Sequence, residues 1–294
     1  VTLSTGQTIT IAAGATTGTV SIAAPVDDPY VDAGSVSRTI SSATGGNFES
    51  LVIDAAAATT TVTDTIDVTT ATLTATPSVA EGGTITYTVS LAAPVAGSPV
   101  TVNLANGEVV TIGVGDSSGT ATAIAPDNAY AGGGSVTNSI ASAVGGNFEN
   151  LAPNSAPVTI AVTDDADVTT VSLGATASVV EGGTIVYTAT LTSAAASPVT
   201  VTLSTGETIS IAAGATSGTV NIVAPGDDPY IDASTVARTI TSATGGGFES
   251  LAVNSAPATT TVTDDADVTT VSLGASASVV EGGTITYTAT LTNA

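Results

Sequence analysis

The side chains with chemical potential in this sequence are almost all carboxylates, and they return in order. Asp27-Asp28-Pro29-Tyr30 is followed by Asp127-Asn128-Ala129-Tyr130 and Asp227-Asp228-Pro229-Tyr230, and Glu81-Gly82-Gly83 returns at Glu181 and at Glu281. The Val-Thr-Asp tract at Val62 returns at Val162 and Val262; these tracts carry Asp64 and Asp67, then Asp164, Asp165 and Asp167, then Asp264, Asp265 and Asp267. A period of about 100 residues describes a domain and not one turn of a solenoid. Several carboxylates, completed by backbone carbonyls and water, are what a hard cation such as calcium takes, and magnesium suits loosely spaced acids less well. Zinc and copper favour imidazole and thiolate, and the chain has no His and no Cys. Paired carboxylates also serve glycosidases, but these need two acids at a set separation in a cleft. No copy carries a constellation the others lack, so an enzyme is not expected.

The balance of charge agrees. Lys and Arg total 2 against 25 Asp and Glu, a net charge of -23 with no internal counterion. Bound cations or a basic partner would offset that field; the plainer alternative is that acidity keeps a β-rich chain soluble. Nucleic acid is excluded as a partner because phosphate binding needs Lys and Arg, and anionic membrane surfaces are disfavoured likewise. No 18-residue apolar stretch is present, so membrane insertion is not expected. With no initiator Met and no signal-like segment, the chain reads as an interior excerpt whose export signal lies elsewhere.

The elements that must position the acids are strands. Thr84-Ile85-Thr86-Tyr87-Thr88-Val89-Ser90-Leu91 alternates polar and apolar residues, as a strand with one buried face requires. In the middle copy the same reading predicts strands near 68–76, 84–92, 99–104, 107–113, 118–124, 134–142 and 156–163. Ala105-Asn106-Gly107 and Ser204-Thr205-Gly206 are hairpin turns. The expected fold class is all-β: tandem immunoglobulin-like seven-stranded β-sandwiches arranged end to end, with an up-and-down barrel as the alternative. The expected domains are 1–66, the C-terminal part of a module; 67–166 and 167–266, complete modules; and 267–294, the N-terminal part of another.

In such a sandwich the first turn, the loop before the sixth strand and the exit of the last strand share one pole. Glu81, Asp127, Asn128, Asp164, Asp165 and Asp167 then meet at one joint, and Glu181, Asp227, Asp228, Asp264, Asp265 and Asp267 at the next. The competing reading is that each Asp is an ordinary solvated turn residue. Asp27, Asp28, Asp64 and Asp67 form the corresponding set of the first segment. Glu281 would complete it if copies of the chain assembled head to tail by strand complementation; the alternative is an excerpt cut from a continuous repeat. The loop Gly145-Gly146-Asn147-Phe148-Glu149-Asn150 lies at the opposite pole. Phe148 is expected to plug its sandwich and Glu149 to be solvated, with completion of a site at the preceding joint as the alternative. Tyr130 and its copies read as tyrosine corners bonded within their own domain, and Arg38 and Arg238 as partners of nearby acids. The Gly pairs lack the Lys and the helix of a phosphate loop.

Ala80 or Val180 followed by Glu-Gly-Gly-Thr-Ile, then Gly-Gly-Asn-Phe-Glu-Asn-Leu at 145–151, then Val-Thr-Asp before a Val-Thr-Thr restart, resembles the extender repeats of giant type I-secreted RTX adhesins, the LapA-like and ice-binding adhesins among them. The RTX nonapeptide itself is absent. The resemblance implies immunoglobulin-like modules that fold and stiffen in extracellular calcium, with the joint acids as ligands, and hold a terminal binding region away from the cell surface. Asn128 departs from the pattern by one charge and weakens the expectation for its joint. The implied partners are neighbouring modules of the same chain. The implied localisation is extracellular, at the cell surface, in a biofilm adhesin. A second reading makes each module adhesive towards glycan, ice or its own kind through exposed threonines such as Thr84, Thr86 and Thr88.

Overall fold

A computed structural model describes residues 1–294. The chain is all-β in tandem repeats, with no helix long and apolar enough to cross a membrane. Two compact units comprise residues 1–125 with 135–162, and residues 126–134 with 163–294.

Alternation produces the sandwich. In the strand Thr84–Leu91, Ile85, Tyr87, Val89 and Leu91 are buried while the threonines between them stay at least partly exposed. This strand lies between Val68–Ala75 and Ser118–Ile124, and Asn150–Pro153 adds to the far edge in parallel with Val68–Ala75. Facing it are two three-stranded ladders. One runs Gly134–Asn138, Val158–Thr163, Ser78–Ala80; the other runs Ile140–Val144, Val100–Leu104, Val109–Ile112. Ile85 and Tyr87 from the first sheet pack with Val100, Val102, Ile112 and Ile160 from the facing ladders in one core. Burying each such aliphatic side chain contributes roughly 1.5–3 kcal/mol. The following repeat has the same arrangement around Ile185, Tyr187, Val201 and Ile211.

The seven expected runs all carry strands, yet three details differ. The first run continues after a kink into Ser78–Ala80, which leaves its hairpin partner for the opposite sheet. The run 134–142 divides at Ser139, whose N–H donates to the Asn138 side chain and whose carbonyl accepts from Ala105, so neither group extends the ladder. Asn150–Pro153 is an added strand. The expected hairpin turn is present: Gly107 has φ +91° and its N–H donates to the Leu104 carbonyl at 3.0 Å. An added Cβ there would meet nothing within 4 Å, so Gly107→Ala acts through the backbone alone. It is expected to cost about 1 kcal/mol, read as a lower denaturant midpoint at unchanged slope.

The first segment forms only paired strands, Thr2–Leu3 with Ile40–Ser42 and Gly34–Arg38 with Ala58–Val62. In the last segment Val271–Ala275 pairs with Tyr287–Leu291. Arg38 and Arg238 donate to the carbonyls of Ser37 and Ala237 and not to the acids expected as their partners. The tyrosines also depart from expectation. Tyr30 does not close a corner in its own repeat: its hydroxyl donates to the Pro94 carbonyl, 64 residues on, at 2.6 Å. Tyr130 likewise donates to Ala194 at 2.7 Å.

Candidate metal centres

The clearest gathering of acids lies within the unit formed by residues 126–134 and 163–294. The turn after Ser178–Val180 carries Glu181, and Gly182 takes φ +65°, as the tight reversal requires. Backbone bonds stitch this turn to its neighbours: Glu181 N–H donates to Thr263 O at 3.1 Å and Gly182 N–H to Pro225 O at 2.7 Å. The end of the last strand and the loop 225–232 are thereby brought beside Glu181. Carboxylate oxygens of Glu181, Asp232 and Asp264 lie within 4.8 Å of one another, as do those of Asp227, Asp265 and Asp267. Glu181 is 7% exposed, and its Oε2 is buried without a hydrogen-bond partner. A hydrogen bond with the Asp232 carboxyl, then burial, then the charges of Asp232 and Asp264 push its pKa up to about 7; the Asp228 N–H opposes them. Asp227 is raised by the charges of Asp265 and Asp267, with burial third.

The same unit contains a second set. Asp167 N–H donates to Glu249 Oε2 at 2.6 Å, while Glu249 Oε1 is buried and unpartnered. That N–H is the largest influence on Glu249 and favours its ionised form, but burial and the charges of Asp164, Asp165 and Asp167 together raise its pKa. Asp165 is raised by burial first, then by Asp167, Asp127 and Asp164. Asn128 Oδ1 accepts from Tyr130 N–H at 3.0 Å, as Asp228 Oδ1 accepts from Tyr230 at 2.9 Å. The exchange of Asp for Asn therefore keeps the turn and removes the charge.

In the unit formed by residues 1–125 and 135–162, Asp67 N–H donates to Glu149 Oε2 at 2.5 Å, and Glu149 Oε1 is a third buried, unpartnered carboxylate oxygen. Asp28 Oδ1 accepts from Tyr30 N–H, Asp64 Oδ2 from Asp32 N–H, and Asp27 Oδ1 from the Thr65 hydroxyl. Asp32 is raised by Asp28 first, then by burial, Asp64 and Asp27. Glu81 is buried at its own turn. Glu281 is exposed in the last segment.

Four contributors lie outside the acids expected as ligands, although completion of a site was the alternative for Glu149. Glu149 is half-buried against Asp67 and not solvated as expected, and Glu249 repeats it. Asp32 and Asp232 were signalled only by recurring five residues after Asp27 and Asp227; Gly132 in the middle copy interrupts that recurrence. Buried carboxylate oxygens with no donor and crowded acids with raised pKa are an unfavourable arrangement for an ion-free protein. An all-oxygen donor set without His or Cys fits a hard divalent cation of calcium's coordination habit.

Three consecutive segments, residues 1–65, 67–165 and 167–265, match the LapA domain. No curated protein matches the chain. Among solved structures, the human OSCAR ligand-binding domain aligns with 59% of this chain and 90% of its own at 13% identity, with a TM-score of 0.20, too loose a superposition to bear on fold or function. With tandem matches over most of its length, the chain belongs to the LapA domain family.

Proposed function

We propose that this chain is an extender region of a cell-surface adhesin, its repeats joined through carboxylate sites that bind calcium. The observation that carries this reading is the pair of clusters around Glu181 and Asp227, with Glu181 buried and its Oε2 unpartnered. Calcium would stand where mutual repulsion now acts, taking Glu181, Asp232 and Asp264 in one site and Asp227, Asp265 and Asp267 in the other. Backbone carbonyls and water would complete the shell. Since these acids come from the first turn, the loop before Ser234–Arg238 and the exit of Ala258–Thr263, a bound ion would tie three segments together and stiffen the joint. Repetition of one architecture without a distinct constellation in any copy suits a structural task, and membership of the LapA domain family supports an adhesin at the cell surface.

Calorimetric titration of the whole chain tests the reading. Calcium is expected to bind with dissociation constants of about 10⁻⁴–10⁻³ M, as in other extracellular modules, and magnesium more weakly. Small-angle scattering should show a longer particle with calcium than with chelator. Asp265→Asn removes one ligand charge and is expected to weaken one class of site about tenfold. Absence of calcium heat at millimolar concentrations, or an unchanged scattering profile, would overturn the proposal.

A further inference from the structure

Joining of the repeats has a second component whose contacts from one repeat to the next involve rings and backbone and no carboxylate. Tyr30 and Phe148 stack at 5.4 Å between ring centroids and 26° between planes, and Tyr130 and Phe248 at 5.9 Å and 18°. Each pair sits on a two-residue antiparallel bridge. In the first, Val31 N–H donates to Asn147 O at 3.0 Å and Glu149 N–H to Pro29 O at 3.1 Å; in the second, Ala131 N–H donates to Gly247 O at 3.2 Å and Glu249 N–H to Ala129 O at 3.3 Å. The tyrosine hydroxyls then reach the carbonyls of Pro94 and Ala194.

Both halves of this contact keep one shape from copy to copy. Gly46 holds φ +86°, close to the +84° of Gly146 and the +86° of Gly246. A Cβ on any of these glycines would fall 2.2–2.5 Å from the phenylalanine ring two residues on, so the glycine is what lets the ring lie flat over the loop. Asp228 Oδ1 holds the Tyr230 N–H as Asp28 holds that of Tyr30 and Asn128 that of Tyr130. Contacts between loops whose shape is set locally, by a glycine on one side and an Asp or Asn cap on the other, lose little conformational freedom on closing.

We infer that the Asp/Asn-x-Tyr loop of each repeat is a docking surface for the Gly-Gly-x-Phe-Glu loop of the next, a clasp that closes without any cation. The clasp consists of stacked rings, two backbone bonds and a hydroxyl bond, none of which requires an ionised group. It also determines where the acids go. Glu149 and Glu249 follow the clasped phenylalanines directly, and their carboxylates are delivered to the Asp67 and Asp167 amides. The clasp therefore gathers the acids before an ion arrives.

Hydrogen exchange of the whole chain, read by NMR in the presence of chelator, tests this apart from the calcium reading. The Ala131, Glu249, Val31 and Glu149 amides are expected to show protection at least about tenfold above that of Ile231, which occupies the same loop position but makes no such bridge in this chain. Tyr130→Ala should remove protection at Ala131 and Glu249 and leave Val31 and Glu149 as they were, the latter pair showing that the fold persists. Tyr130→Phe, which deletes only the hydroxyl, should give a smaller loss at the same two amides. Ala131 exchanging as fast as Ile231 in chelator, or remaining protected in Tyr130→Ala, would overturn the inference. If the amides behave as expected and calcium does not bind, the clasp stands and the calcium proposal alone fails.

Discussion

Saturating calcium is expected to raise the melting temperature of this chain by roughly 10–20 °C. A ligand held only by the folded state at about 100 times its dissociation constant contributes about 2.7 kcal/mol, and each kcal/mol moves the transition of a domain of this size by about 4–8 °C. The gain is large because the ion-free state is poorly compensated: Glu181 is buried among Asp232 and Asp264, and Asp227 faces Asp265 and Asp267. Glu181→Gln separates this account from general salt effects, because its two consequences have opposite sign. Removing a buried charge crowded by the Asp232 and Asp264 carboxylates should raise the melting temperature in chelator at neutral pH. Losing a ligand should shrink the calcium-induced shift. Differential scanning calorimetry with and without calcium reads both changes. A variant that melts lower than the parent in chelator, or gains as much from calcium, would sink the assignment of Glu181.

The architecture and the convergence of acids were legible because both follow from local rules. Period-2 alternation in Thr84–Leu91 specified a half-buried strand, and Asn106-Gly107 specified a turn that needs positive φ. Up-and-down connectivity then brings Glu181, Asp227 and Asp264 to one pole, whatever the detailed register. The losses have physical causes as well. Asn150–Pro153 is short, ends in proline and pairs in parallel at a sheet edge, so it carries no alternation to detect. The Tyr30 and Tyr130 hydroxyls donate to backbone carbonyls, which have no residue signature, so pattern alone does not tell a corner within the repeat from a bond to the next. In near-identical repeats, moreover, a pattern cannot say whether a loop meets its own copy or the next. Phe148 was correctly expected to be buried, but the ring that covers part of it belongs to residue 30.

Asn128 and Gly132 show what the repeats tolerate. Asn128 preserves the bond to Tyr130 N–H, which the clasp needs, and gives up only the charge. Gly132 stands where Asp32 and Asp232 stand in the other copies. The loop geometry is thus retained in all three copies while the acid inventory varies. That is the pattern expected if docking is the common requirement and cation affinity is adjusted joint by joint.

The dependence of stability on pH is expected to reverse when calcium is added. Without the ion, Glu181 titrates at about 7 in the folded chain against an ordinary value of 4.5. Between those two values the folded state holds more protons than the unfolded state, so stability must fall as pH rises through the window. The contribution of the protonated group is fully present below about 4.5 and gone above about 7. Asp32, Asp165 and Asp227, each raised from 3.8, and Glu149 and Glu249, raised from 4.5, act in the same direction. Glu207 acts oppositely: its carboxyl is lowered by the Thr205 hydroxyl, so its contribution is lost only as pH falls below the ordinary carboxylate range, outside the window. Calcium needs ionised ligands, so binding at pH 6 must expel the protons these acids hold, whereas at pH 8 there are almost none to expel. Titration at pH 6 in two buffers of different ionisation enthalpy should therefore give different apparent heats, and at pH 8 the heats should converge. In chelator the melting temperature should decline from pH 4.5 to pH 7, and in saturating calcium it should rise over the same interval. Equal heats in both buffers at pH 6, or a melting temperature in chelator that climbs with pH, would show that the gathered acids are not the ion's ligands.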